Sequence, residues 1–508
     1  MGAKGSKGAK IDKKMLAMDT IEITGKNMST FPKGIEKCQC SNLNCSVNDF
    51  TEIPPEVFQM VNLEILTLSE NRITSVPDSI SVATNLRELY LAKNNLFYDG
   101  ISAEIKKCSN LQRLDISNNK LEAIPVEIGS LLSLEYLNIS ENALQTIPPG
   151  IGMLDKLQTL LMSKNSIQKL PAEIGNLRGL YELDMSSNQM DMLPEELSNM
   201  LSLKILRIGY NKLSGNIDVL THFKFLVELD CQNNPGILDL PPLDSLQNLT
   251  RLVVRNLPIT HIPGLTSLKM LCELNVRDNL KMQGIPEEIF EITTLQRLDF
   301  VGCNITVIPE DIQKLTALNM LELSRNALTE ASFPPAVSTL TSISKLSLSG
   351  NKLHTYPQTL CDLTSVVDLD ISNNLLVDFP DAFGQLSNIQ ILCAAGNKIN
   401  RIPEVMDKLI SVTYMDLKNN QLKRLPATIG EMRQLNRLEL AHNMLPVLPP
   451  EMGQLEGIIQ VLDLSNNPLV IPPKDIVVKG PAAICRYLKE NEEVIRKGVV
   501  SGLGQQQA

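Results

Sequence analysis

The sequence predicts a solenoid of the α/β class, in which short parallel strands alternate with tightly turned segments. Three observations predict it: one phrase recurs along most of the chain, its apolar positions alternate as in a strand, and an asparagine returns at a fixed interval. The phrase is clearest at 134–148, LEYLNISENALQTIP, and Asn142, Asn165 and Asn188 are 23 residues apart. One such coil cannot bury its own apolar row, so copies must stack.

Each residue type in the phrase has a physical reason. Side chains alternate between the two faces of a strand, so Leu137 and Ile139 should point inward. The short amide of Asn142 can bond to unpaired backbone where the chain turns. Ile147 returns to the core, and Pro148 fixes an extended return path. The phrase is the leucine-rich repeat pattern.

About twenty coils of this kind follow one another. They predict one continuous leucine-rich repeat horseshoe of 23-residue coils, with a parallel concave sheet and an extended or 3-10 convex side, because so short a coil has no room for a full helix. Extra residues before Asn119 and Asn351 should bulge on the convex side. The asparagine slots, with three departures, are Lys26 (a degenerate first coil), Asn48, Asn71, Asn94, Asn119, Asn142, Asn165, Asn188, Asn211, Asn234, Leu257, Asn279, Cys303, Asn326, Asn351, Asn374, Asn397, Asn420, Asn443 and Asn467.

The pattern changes after Pro473. Ile484, Tyr487 and Leu488 recur with a helical period, and Gly480-Pro481 is a helix-start signal. We therefore assign 18–473 to the solenoid and 474–508 to a helical C-terminal cap and tail.

Residues 1–17 form a basic tail outside the repeats. Met1-Gly2-Ala3-Lys4-Gly5-Ser6 matches the N-myristoylation pattern, which would acylate Gly2. One acyl chain binds membranes weakly, and a cluster of lysines supplies a second signal. The tail is expected to contact the inner face of the plasma membrane peripherally; the alternative is a solvated, disordered segment. The lysines are Lys4, Lys7, Lys10, Lys13 and Lys14.

Composition excludes several other classes. The 47 basic and 57 acidic residues give a net charge of −10, which argues against nucleic-acid binding. No apolar run is long enough to span a bilayer. Of the ten cysteines, Cys40, Cys45 and Cys231 fall in leucine slots, which favours buried thiols and a reduced cytoplasmic compartment. The four histidines lie in different coils, so no catalytic or metal site is expected, and no cofactor.

The outward strand positions carry the candidate partner site. In most coils they are small or mixed, whereas the middle coils are rich in charge, and Arg and Tyr are residues that anchor interfaces. Irregular slots at Leu257 and Cys303 coincide with this region. The alternative is a neutralising ladder of Arg and Glu that only solubilises the sheet. The candidate residues are Arg207, Tyr210, Glu228, Asp230, Arg251, Arg255, Glu273, Arg277, Arg297 and Asp299.

A weaker candidate lies near the C-terminal cap. Outward positions there hold Asp416, Arg437, Glu439 and Asp463.

The repeat phrase resembles that of the Ras-group intracellular leucine-rich repeat proteins, which include the Shoc-type scaffolds and plant relatives. The segments VRNLPITHIP (254–263), NVRDN (275–279) and NPLVIPPKDIVVKGPAAICRYLK (467–489) are similar to those of amoebal members. The resemblance implies a non-enzymatic scaffold that binds a small Ras-like GTPase or its regulator, with a role in cytoskeleton remodelling and chemotactic movement. The alternative is a structural spacer or actin-linked adaptor without a GTPase partner.

Overall fold

The computed structural model describes residues 15–215 and 217–496. Gly2, most of the predicted 1–17 tail and the tail after 496 lie outside these ranges. The chain divides into two compact units, Met1–Leu268 and Lys269–Ala508, and each is described by itself.

The described part of the first unit contains thirteen strands. Eleven of them pair in parallel, residue for residue, in the order β1-β2-β3-β4-β6-β8-β9-β10-β11-β12-β13. The short pair β5 and β7 forms a separate sheet where the sequence predicts a bulge before Asn119. The strands are β1 Thr20–Glu22, β2 Asn42–Asn44, β3 Ile65–Thr67, β4 Glu88–Tyr90, β5 Phe97–Tyr98, β6 Arg113–Asp115, β7 Lys120–Leu121, β8 Tyr136–Asn138, β9 Thr159–Leu161, β10 Glu182–Asp184, β11 Ile205–Arg207, β12 Glu228–Asp230 and β13 Arg251–Val253.

The second unit repeats this arrangement. Its nine described strands pair in parallel and in chain order. They are β14 Glu273–Asn275, β15 Arg297–Asp299, β16 Met320–Glu322, β17 Lys345–Ser347, β18 Asp368–Asp370, β19 Ile391–Cys393, β20 Tyr414–Asp416, β21 Arg437–Glu439 and β22 Val461–Asp463.

Opposite the strands, most coils place a single 3-10 turn, as the coil length predicts. One α-helical turn, α1 (Pro55–Phe58), replaces it in an early coil. The extra residues before Asn351 form an additional 3-10 turn, Glu330–Ser332. The 3-10 helices are Met15–Ala17, Ile35–Lys37, Asp78–Val82, Ala103–Lys107, Val126–Ser130, Pro149–Met153, Ala172–Asn176, Glu195–Asn199, Asp218–His222, Leu265–Ser267, Glu287–Glu291, Glu310–Lys314, Glu330–Ser332, Pro335–Thr339, Gln358–Asp362, Asp381–Gln385, Glu404–Lys408, Ala427–Glu431 and Pro450–Leu455.

The core of each unit lies between the sheet and the 3-10 turns. Leu137 and Ile139 are fully buried, and Leu144 and Ile147 join them from the returning chain, which confirms the predicted inward set. Each coil completes the apolar layer of its neighbour, so stacking removes this surface from water at roughly 25 cal/mol per Å².

The asparagine slot joins each coil to the one before it. The amide of Asn188 donates to the carbonyls of Met162, one coil earlier, and Met185, in its own coil, at 3.0 and 3.2 Å. Its Oδ1 accepts from the Ile167 amide at 3.0 Å. The preceding Ser187 has φ 55°, which turns the chain away from the strand. One side chain thus satisfies main-chain groups of two coils that would otherwise be buried unpaired.

Two of the three departures from asparagine fill the slot differently. Leu257 is a buried apolar residue. The thiol of Cys303 takes over part of the amide's role, since its Sγ lies 3.1 Å from the Val276 carbonyl and 3.6 Å from that of Val301. Burial raises the pKa of Cys303 to about 11, so the thiol keeps the proton it donates.

A helical cap closes the C-terminal end of the second unit. Helix α2 (Lys474–Val477) leads into α3 (Pro481–Glu490), which begins at the predicted Gly480-Pro481 signal. Ile484, Cys485 and Leu488 of α3 are buried, and the helix packs on the 3-10 turn Pro450–Leu455. In the described ranges, no helix has the length and apolar character that a membrane span requires.

Candidate protein-binding face

The first and third residues of each strand, with the residues that follow toward the asparagine slot, form the outward face of the sheet. We call the ten predicted partner-site residues in the middle coils the central charged patch. Six of them belong to the first unit and four to the second. The first-unit members are Arg207, Tyr210, Glu228, Asp230, Arg251 and Arg255, and the second-unit members are Glu273, Arg277, Arg297 and Asp299.

The first-unit part is built on a chain of ion pairs across four consecutive strands. Arg207 Nη1 lies 2.7 Å from Glu182 Oε1, and Arg207 Nε lies 2.9 Å from Glu228 Oε1. The same Glu228 oxygen lies 3.0 Å from Arg251 Nη1. The Glu228 side chain is 17% exposed, so solvent screens these pairs less than isolated surface pairs. The arginines are held in place by carboxylates on both sides.

Asp230 lies beside this chain without joining it directly. Its Oδ1 accepts from the Gln232 main-chain N–H at 3.1 Å, and its Oδ2 accepts from the Gln232 side chain at 2.7 Å. Burial raises the pKa of Asp230, and the hydrogen bonds from Gln232 and the charge of Arg251 offset only part of this effect.

Tyr210, Arg255 and Arg277 lie beyond the ends of their strands, so their predicted place among the outward strand positions is wrong. Strand β11 ends at Arg207, and Tyr210 lies in the turn with φ 55°, directly before Asn211. The three-residue strands are shorter than the alternating pattern suggests. The Tyr210 side chain is 48% exposed and stands at the end of the face where the chain leaves the sheet.

The second-unit part is looser. Arg297 Nη1 lies 3.9 Å from Glu273 Oε2, and the Arg297 side chain is 62% exposed. The Asp299 Oδ1 accepts from the Val301 N–H at 3.0 Å. Arg277 Nε lies 3.5 Å from Asp278 Oδ2. The Arg297 side chain is thus more exposed than those of Arg207, Arg251 and Arg277.

Three residues outside the ten candidates, Glu182, Asp278 and Arg325, complete the ionic arrangement. Glu182, one strand earlier, holds Arg207. Arg325 reaches two coils back to Asp278, with Nη2 at 2.6 Å from Oδ1. It passes over Gly302, where a Cβ would stand 2.7 Å from the same Asp278 oxygen. Asp278, Gly302 and Arg325 stand one residue before the slots of three successive coils. Opposite charges at this position in two coils, with a glycine in the coil between them, are the sequence signal for this pair.

The C-terminal candidate is also paired. Arg437 Nη2 lies 2.6 Å from Glu439 Oε1, and the Glu439 side chain is 5% exposed. The Arg437 guanidinium also stacks 5.3 Å from the Tyr414 ring centroid. Lys418 Nζ lies 3.4 Å from Asp416 Oδ2. Asp463 Oδ1 accepts from the Ser465 N–H.

The cysteines form no disulfide and no metal cluster within the described residues. All ten cysteines are free thiols, and Cys38, Cys40 and Cys45 are buried in the early coils. Across 15–215 and 217–496, no three His, Cys, Asp or Glu side chains are grouped so as to hold a metal ion.

Comparison with known proteins identifies the repeat. The family described as "Leucine-rich repeat region" matches residues 122–234, and the related descriptions "Leucine rich repeat" and "Leucine Rich Repeat" match 41–96, and 110–131 and 294–315. No curated protein sequence matches the chain.

Solved structures extend the similarity over most of the chain. A leucine-rich repeat protein of Leptospira interrogans is 30% identical, over 82% of this chain and 93% of that one, with a TM-score of 0.58. The leucine-rich repeat ectodomain of the Arabidopsis receptor kinase HAESA, solved with an extended IDA peptide hormone, is 27% identical over 86% and 76% of the two chains, with a TM-score of 0.59. A TDR receptor, at 22% identity over 92% of each chain and a TM-score of 0.62, shows the fold alone.

The fold, the asparagine ladder and the Leptospira match agree, and a fold of this kind is typical of a protein-interaction scaffold. The chain belongs to the leucine-rich repeat proteins.

Proposed function

We propose that this protein is a non-enzymatic, cytoplasmic scaffold that binds a Ras-type small GTPase, or a regulator of one, on the outward face of its sheet. The repeat phrase and the cap segments support the Ras-group assignment through their resemblance. The HAESA ectodomain supports a protein or peptide ligand for this fold, because it was solved with a peptide hormone. Signalling to the cytoskeleton and cell movement is the process in which such a scaffold would act.

The observation that carries the proposal is the Glu182–Arg207–Glu228–Arg251 chain of ion pairs. A guanidinium has five N–H donors, and the carboxylates use only some of them. Arginines that are already held in place lose less side-chain entropy when a partner binds. The half-exposed Tyr210 supplies an aromatic anchor at one end of the same face.

Reversing every charge in this chain of ion pairs distinguishes a binding face from a ladder that only neutralises the charges of the sheet. The quadruple variant Glu182→Arg, Arg207→Glu, Glu228→Arg and Arg251→Glu preserves every described pair with its polarity reversed. We expect it to unfold at a temperature close to that of the natural chain but to lose capture of purified Ras-type GTPases loaded with GTP analogue or GDP. Unchanged capture by the folded variant would assign the ladder a structural role only and would favour the spacer.

A second variant, Arg251→Glu with Arg255→Glu and Arg277→Glu, tests the patch without inversion, and it should abolish GTPase capture. Its matched control reverses exposed arginines outside the patch, Arg72→Glu and Arg433→Glu, whose side chains are 65% and 52% exposed. The control should capture as the natural chain does.

Peripheral membrane contact through an acylated Gly2 is part of the same proposal. Substitution Gly2→Ala removes the N-terminal glycine that myristoylation requires. It should release the protein from the membrane fraction of cells. Retention of the variant in that fraction would contradict acylation as the anchor.

A further inference from the structure

A second surface lies on the first unit, at the edge where the chain enters the strands. The residues just before β10, β11 and β12 stack through main-chain bonds: the Lys204 N–H donates to the Tyr181 carbonyl at 2.9 Å, and the Val227 N–H donates to the Lys204 carbonyl at 2.8 Å. The Lys204 ammonium lies 5.1 Å from the Tyr181 ring centroid. The ring remains 43% exposed, so one aromatic face is covered by a cation and the rest is open.

Two large apolar side chains stand beside this pair. Leu201 and Phe225 are 62% and 57% exposed, and they occupy the turns that precede Lys204 and Val227. Elsewhere in the unit, the second residue of such a turn touches the first residue of the turn one coil earlier: Asn248 Nδ2 donates to the Lys224 carbonyl at 2.9 Å. From the same stacking we infer that Phe225, the second residue of its turn, lies next to Leu201, the first residue of the turn one coil earlier. Neighbouring exposed apolar residues, unlike single ones, indicate an interaction site.

The charge around these side chains is positive. Among the described residues, neither Lys204 nor Lys224 has a carboxylate within ion-pair distance. The acids that begin the adjoining strands β10 and β12, Glu182 and Glu228, both pair with Arg207. In a chain of net charge −10, this edge therefore combines unpaired cations with an apolar surface. We call Tyr181, Leu201, Lys204, Lys224 and Phe225 the edge patch.

We propose that the edge patch binds a short acidic segment of a partner protein that carries a leucine or an aromatic side chain among its carboxylates. The apolar side chain contacts Leu201 and Phe225, and the flanking carboxylates pair with Lys204 and Lys224. Tyr181 offers both an apolar ring and a hydroxyl, which suits an anchor at the boundary between the two contacts. This surface is separate from the central charged patch and does not depend on the GTPase proposal.

The test is selection of a displayed library of random short peptides on the full chain. We expect enriched peptides to combine Glu or Asp with Leu, Phe, Tyr or Trp, and to bind more weakly as salt is raised. A synthetic copy of the strongest peptide should lose about tenfold or more in affinity on Leu201→Ser/Phe225→Ser and on Lys204→Glu/Lys224→Glu, as for residues at the centre of an interface.

The matched control is Leu132→Ser. Leu132 occupies the same turn position as Leu201 three coils earlier and is 52% exposed, so it removes a comparable apolar side chain away from the edge patch. It should leave peptide affinity unchanged, as should reversal of Arg251, Arg255 and Arg277. No enrichment, enrichment of basic or purely apolar peptides, or equal binding by the edge variants would overturn the proposal.

Discussion

At the scale of single residues, the repeat is informative where one side chain breaks its rule. Tyr356 stands before Pro357, at the position that Ile147 holds before Pro148. It is 1% exposed, with its ring edge-on to Phe383 at 5.0 Å between centroids. Among the described residues its hydroxyl has no hydrogen-bond partner, and burial raises its pKa well above the ordinary value. The hydroxyl is thus a local cost to stability, since a buried polar group without a partner is unfavourable.

Substitution Tyr356→Phe should stabilise the protein. It removes the hydroxyl and keeps the ring contacts, so the free energy of unfolding should rise by about 1 kcal/mol. Urea unfolding followed by circular dichroism measures it. Tyr98→Phe is the control, because that side chain is 61% exposed and its hydroxyl is free to meet water. A loss of stability in Tyr356→Phe would mean that the hydroxyl is satisfied in solution.

Asp230 offers a residue-scale test in the central charged patch. Its pKa is raised in the folded state by burial, so the folded chain binds its proton more tightly than the unfolded chain. The wild type therefore loses stability as pH rises through the folded pKa. Asp230→Asn should be slightly more stable than the wild type at neutral pH, and the difference should vanish at acidic pH, where both states carry the proton. Asn can still accept the Gln232 N–H bond.

The control for Asp230 has the opposite sign. Burial acts to raise the pKa of Asp463, but the hydrogen bonds from Ser465 together with the charges of Lys418 and His442 outweigh burial, and the pKa is lowered. Asp463→Asn should therefore destabilise the chain at neutral pH and lose this effect as pH falls. Urea midpoints of both variants, measured from neutral to acidic pH, give the comparison. Parallel behaviour of the two variants would contradict the assignment.

At the scale of the element, six of the described 3-10 turns carry a glycine in fourth place, where a neighbouring segment packs closely against it. Gly175 shows this: a Cβ there would stand 2.3 Å from the Glu196 carbonyl oxygen of the next turn. Gly453 occupies the corresponding place in Pro450–Leu455, where the neighbour is the cap helix α3. A Cβ on Gly453 would meet Lys489 Cβ and N at 2.9 Å and the Cys485 carbonyl oxygen at 3.0 Å. The cap therefore continues the spacing of the coils.

Gly453→Ala should loosen the cap. The added methyl collides with α3 backbone and not with a flexible side-chain end, so a loss of about 1–3 kcal/mol is expected. The readout is the alkylation rate of Cys485, a buried thiol of α3 whose pKa burial raises to about 11. Gly179→Ala is the control, since its Cβ would meet only the Asp155 carbonyl oxygen at an ordinary 3.5 Å. An unchanged Cys485 rate would show that α3 shifts without cost.

At the scale of the whole molecule, the repeat period of the sequence determines more of the secondary structure than the individual side chains do. The strands, 3-10 turns and cap helix follow from apolar spacing, the asparagine slot and Gly480-Pro481, and all were predictable. The partners in the ion pairs were not predictable, because a long side chain such as Arg207 can reach several carboxylates at similar distances. Leu201 was also missed, since an exposed leucine in a turn looks like a core residue of the repeat. Pairings depend on side-chain conformations, which a period does not encode.

The cysteines report how this periodic structure opens. Eight of the ten are buried, and Cys272 and Cys393 are half-buried. The thiolate is the reactive form, and burial together with nearby carboxylates raises the pKa of Cys393 to about 12. We expect iodoacetamide to label Cys272 first in the native protein, followed slowly by Cys393, as measured by mass spectrometry of the digested chain.

Urea below the unfolding midpoint should then expose thiols in an order set by position within each unit. In a solenoid each coil packs only on its neighbours, so a terminal element opens before an interior one. In the second unit, Cys485 of the cap should therefore label at lower urea than Cys361 of an interior coil, although both are buried. Rates are normalised to those of the fully unfolded chain, so that the intrinsic reactivities of the two thiols, one of which has Asp362 as its neighbour, do not enter the comparison. Simultaneous labelling of both thiols would instead show that the unit unfolds as a single cooperative structure, and nearest-neighbour packing would then underestimate its coupling.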